Sequence, residues 1–133
     1  MGLIDSLFVS KEERERRARE FDIRVFPLGL EGQRAAVCKL LSTQLDKGRG
    51  RDSELLFAYL TAKDKYILSG KEEKGLKAAS FQLKNLGWLS KEQKRFILAL
   101  VLMDSQIQSL DEYPSEHDIL EYMEREPELL AGI

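Results

Sequence analysis

Eight consecutive apolar residues, Phe96 to Met103, constrain this chain more than any other feature. A helix that is apolar all round has to be surrounded by other elements. Eight residues of this kind also suit a buried strand. The flanks decide for a helix. Ser90 and Gln93 match a capping box, in which a side chain at each position satisfies an orphan backbone N–H of the other. Ile107 and Leu110 continue a helical spacing beyond the run. The expectation is therefore a long central helix over residues 90–110.

The rest of the chain supplies the walls. Leu3, Ile4, Leu7 and Phe8 form a short amphipathic tip. Ser10 with Glu13 is another capping-box match and opens a charged helix. In it Glu12–Arg16, Glu13–Arg17, Glu15–Arg19 and Glu20–Arg24 all stand at i,i+4, each pair contributing roughly 0.2–0.5 kcal/mol. Nothing between Lys11 and Arg17 is apolar, so this portion is expected to stand in solvent. Phe21, Ile23 and Val25 alternate with Asp22 and Arg24, which allows a short strand near 21–26 as well as a continuing helix, and Pro27 and Gly29 end either one.

A helix from about Glu31 to Leu45 follows, with Val37, Leu40, Leu41 and Leu45 as its stripe. Residues 46–51 form the clearest loop. Ser53 is read as the cap of a third helix carrying Leu55, Leu56, Tyr59, Leu60, Tyr66 and Ile67. Gly70 stops it, and Ser69 with Glu72 matches a capping box for the next helix, whose stripe is Leu76, Ala79, Leu83 and Leu86. Pro114 and Ser115 open a last helix with Ile119, Leu120 and Met123 inward. The predicted fold is all-α: one irregular bundle of about six helices around the 90–110 helix. Residues 21–133 are its single domain, and residues 1–20 are a tip and charged helix extending from it.

Composition narrows function mainly by exclusion. No run approaches the roughly 20 apolar residues of a membrane span. Met1 to Phe8 lacks the basic residues and long apolar core of a signal peptide, so the expected location is cytoplasmic. Met1 to Ser6 matches a loose N-myristoylation pattern, without a strong polybasic second signal behind it. The lone cysteine, Cys38, forbids an internal disulfide and reads as a buried small hydrophobe. His117, the lone histidine, has Glu121 and Glu124 on its helical face but no acid three residues before it, so a di-iron pattern is absent. No nucleophile–base arrangement is visible. The expectations are no catalytic residues, no metal ligands and no cofactor.

Charge is the most informative global property. Residues 1–103 hold twenty basic and fourteen acidic side chains, a balance of +6. Residues 104–133 hold one basic and nine acidic, a balance of −8. Two readings follow. The first is a non-enzymatic protein–protein interaction module, self-associating as a homodimer, with Leu3, Ile4, Leu7, Phe8, Glu121 and Glu124 as interaction residues. The alternative is a polyanion or nucleic-acid binder using Lys47, Arg49 and Arg51 and neighbouring lysines at a helix N-terminus. The Walker spacing is absent, and a sequence pI of about 5.6 counts against a dedicated nucleic-acid binder.

Overall fold

The computed structural model describes residues 10–48 and 50–133, and among them the chain is all-helical: α1 (Lys11–Val25), α2 (Leu30–Ser42), α3 (Asp52–Leu68), α4 (Glu72–Lys84), α5 (Lys91–Asp104) and α6 (Glu116–Arg125), with single 3₁₀ turns at Leu45–Lys47 and Leu110–Glu112. The apolar run sets the layout. Phe96 through Leu102 are all buried, and α3, α4 and α6 pack around them. The capping box at the head of α5 is complete, with Ser90 Oγ accepting from Gln93 N and Ser90 N donating to Gln93 Oε1. The helix stops at Asp104, earlier than its spacing suggests. Ser105 turns its hydroxyl back to the Leu102 carbonyl at 2.8 Å, and beyond the turn Leu110 is exposed.

The segment that could be read as a strand is the end of α1. A 3.6-residue period wins over the two-residue alternation, because it puts Phe21, Val25 and Phe26 against α3 and leaves Ile23 in water. Phe26 stacks on Tyr59 with centroids 6.4 Å apart, and Arg24 Nε reaches Asp64 Oδ1 of α3 at 2.8 Å. Upstream of Phe21 the helix leaves the core. Residues 11–20 are exposed except for Glu13, which is partly covered by Arg16 and Arg17 bound to its carboxylate. Ser10 caps this arm by accepting from Glu13 N at 3.1 Å.

Three other local expectations are corrected. Ser53 lies inside α3, whose cap position is Arg51 with no side-chain bond. Ser69 does not cap α4. Its hydroxyl donates to the Tyr66 and Lys71 carbonyls instead, satisfying the end of the helix before it. Cys38 is only half-buried, because Val37 and Leu41 take the inward positions of α2. The basic loop is also anchored. Gln93 Nε2 donates to the Gln44 carbonyl at 2.8 Å, and Gly50, at φ +111°, lies against the Trp88 ring.

The tightest helix crossing is the α3–α4 hairpin. A Cβ at Gly75 would stand 2.6 Å from the Tyr66 carbonyl oxygen, which is backbone and cannot swing aside. Gly75→Ala should therefore push the two helices apart. The expected loss is about 1–3 kcal/mol in urea unfolding, although alanine is the better helix former. A variant as stable as the parent would mean that this crossing is looser than described.

Candidate functional site

Among the described residues, one group of titratable side chains converges inside the molecule. Lys63 of α3 and Asp104 of α5 are each 1% exposed, with Lys63 Nζ 2.8 Å from Asp104 Oδ1. The approach is oblique, an ion pair more than an aligned hydrogen bond. Two phenols complete the cluster. Tyr59, one turn before Lys63, donates its hydroxyl to Asp104 Oδ2. Tyr113, brought back by the turn after α5, donates to the same oxygen at 3.2 Å. Lys63 Nζ also lies 5.8 Å from the centre of the Tyr59 ring, within cation–π range. Gln33 of α2 is fully buried and accepts from Leu28 N at 3.2 Å.

Burial dominates the electrostatics. It pushes the Asp104 carboxyl up from the usual carboxylate range, and the Lys63 ammonium and the two phenols pull it back. The Tyr59 phenol is raised well above its ordinary value by burial first and by the Asp104 charge second, and Tyr113 is raised for the same two reasons. A lysine beside an aspartate and two tyrosines could serve proton transfer. In this position it is enclosed by the core, with Tyr113 partly covered. It ties α3, α5 and the segment before α6 together with directional contacts.

Sequence reasoning missed this cluster because Lys63 and Asp104 are far apart in the chain. A signal existed. Lys63 follows Tyr59 by four residues on the stripe that also carries Leu55 and Ala62, and Asp104 follows Leu100 by four at the end of the apolar run. A charge on a buried stripe needs a partner, and these are two such charges.

The residues singled out from the sequence are dispersed. Leu3, Ile4, Leu7, Phe8 and Arg49 lie outside the described residues. Lys47 Nζ is 3.7 Å from Glu116 Oε1, which turns one basic group of the loop toward the acidic helix, and Arg51 points into solvent beside Glu54. Glu121 and Glu124 are both exposed on α6. His117 lies 3.9 Å from Glu121 on the same face. No group of three metal-binding side chains comes together, and no helix is long and apolar enough to cross a membrane, among the described residues.

Two outcomes follow from the cluster. Lys63→Met strands the Asp104 charge in the core and should cost about 3–5 kcal/mol. Lys63→Met with Asp104→Asn removes both charges, keeps an acceptor for the phenols, and should recover most of that loss. A double-mutant cycle by urea unfolding measures this, and additive losses would break the coupling. The second outcome concerns alkali. Above pH 10 the unfolded chain releases its tyrosine protons while folded Tyr59 and Tyr113 retain theirs. The unfolded state then binds fewer protons, so stability falls as pH rises, by about 1.4 kcal/mol per pH unit for each buried phenol. Phenolate absorbance from these two tyrosines should appear only together with loss of helical circular dichroism. Their ionisation in a still-folded protein would contradict the assignment.

Compared with known proteins, the chain matches no family model, no curated sequence and no solved structure.

Proposed function

We propose that this protein is a non-enzymatic interaction module that associates with a second copy of itself as a homodimer. The observation that supports this most is the arm formed by residues 11–20. A helix normally draws its stability from burying one face. This one buries almost nothing on its own chain and is held by its own charges, with Arg16 bound to Glu13 and Glu20, and Arg17 to Glu13. Its base is fixed by Arg24–Asp64 and by Phe26 on Tyr59. The sequence that precedes this arm is the apolar tip Leu3, Ile4, Leu7 and Phe8. A solvent-facing charged helix next to apolar residues at helical spacing supports a contact with another protein surface.

Sedimentation of the full chain across concentration tests the reading. A monomer–dimer equilibrium is expected, shifted toward monomer when residues 1–9 are removed. A monomer at every concentration and salt would remove the proposal.

A further inference from the structure

Two complementary surfaces flank the last turn of the chain. The first is the outer stripe of α4. Lys74, Lys77, Phe81 and Lys84 are all exposed, and spacings of three and four residues put them on one side of the helix. Phe81 is 69% exposed between two lysines. Phe57, Leu68 and Ile23 are exposed to a similar degree, and what sets Phe81 apart is its place inside a basic stripe. Of these lysines only Lys77 meets a carboxylate among the described residues, Glu73 at 3.7 Å, and both of those side chains are largely in solvent.

The second surface is a half-open groove of about 310 Å³ between α5, α6 and the turn after it, lined by Arg95, Leu120, Met123, Glu124, Pro127 and Leu130. Its walls are mostly apolar. Arg95 Nε is buried there with no hydrogen-bond partner among the described residues. Glu124 stands exposed at the rim with no ion-pair partner among those residues, and Glu128 follows it one turn on. Pro127 and Leu130 line this groove, while Glu128 and Leu129 adjoin Phe81 and Lys84. Stripe and groove thus lie on the two sides of one short segment and form a continuous patch.

We infer that Phe81 of one copy enters the groove between Leu120, Met123, Pro127 and Leu130 of a second copy, with Lys77 and Lys84 facing Glu124 at its rim, and that the same contact is made in reverse about a two-fold axis. The inference rests on the self-association reading and adds a face of the folded domain to the contact expected of residues 1–9. A patch holding both a knob and its hole is self-complementary, as a two-fold interface requires. The lysines around the knob meet Glu124 at the rim of the hole, and the ring would lie against the Arg95 guanidinium in a cation–π contact.

Sedimentation equilibrium of the full chain, run alongside three variants, tests this. Phe81→Glu should weaken dimerisation by about thirtyfold or more, as loss of a central aromatic anchor does. At a protein concentration where both are monomeric its circular dichroism melt should match the parent's, because Phe81 is exposed. Lys77→Glu with Lys84→Glu should weaken dimerisation too, and adding Glu124→Lys to that variant should restore it. Dimerisation of the parent should also decline with added salt. A parent that is monomeric throughout overturns the inference together with the reading it rests on. A dimer unchanged by Phe81→Glu, including one lost only when residues 1–9 are removed, overturns the inference alone. So does a charge-reversed pair that the opposite reversal fails to rescue.

Discussion

Taking an ammonium and a carboxylate out of water costs several kcal/mol for each, and their attraction repays it only if geometry and further hydrogen bonds are good. The Lys63–Asp104 pair meets that condition on one side, through the neighbours of the carboxylate, while the ammonium makes no aligned hydrogen bond among the described residues. Two phenols converge on the second carboxylate oxygen, and one of their rings also faces the ammonium. Satisfying Asp104 in this way requires α3 and α5 to keep one register, because Tyr59 and Lys63 stand one turn apart and must reach the same carboxylate. It also requires the chain after α5 to double back, because Tyr113 has to return to the end of that helix. Apolar packing alone is non-directional and would tolerate other alignments. The polar cluster adds directional contacts that favour this one.

The surrounding apolar contacts supply the bulk of the favourable burial, and their pattern was legible in advance. The all-round apolar run became the central helix. The stripe residues Val37, Leu41, Leu55, Tyr59, Ala79, Leu83 and Ile119 are buried as their spacing implies. Six helices were expected and six are described. Less legible were features in which one residue can serve two ends. Serine hydroxyls accept at a helix start and donate at a helix end, so Ser90 and Ser69 look alike in sequence and act oppositely. Alternation at Phe21–Val25 also fits two periods, and only the position of α3 selects the helical one. The buried charge cluster belongs to a third class. Its members are local anomalies, each a charge on an apolar stripe, and their pairing is fixed only by tertiary structure.

The uneven charge along the sequence takes a definite form in space. Lysines line the outer side of α4 and carboxylates the outer side of α6, with the last turn of the chain between them. Among the described residues, Lys47–Glu116 links the basic loop to the acidic helix. Most of the acidic residues of α6 therefore stay in solvent and do not fold back onto the basic part of the same chain. Exposed pairs would add little stability in any case, so the separation bears more on what approaches the molecule than on how it folds.

Tyr59 belongs to two assemblies at once. Its ring carries the stacked Phe26 at the root of the arm, and its hydroxyl feeds the buried carboxylate. Ten helical residues beyond that root make a lever of about 15 Å. A pull at the lever's far end is resisted at its fulcrum by the packing of Phe21 and Val25, the aromatic stack and the Arg24–Asp64 bridge. These grip α3, the helix that carries Lys63. Torque on the arm is thus transmitted to the helix whose register the core charges depend on, and the arm cannot be re-aimed without loading the buried ion pair.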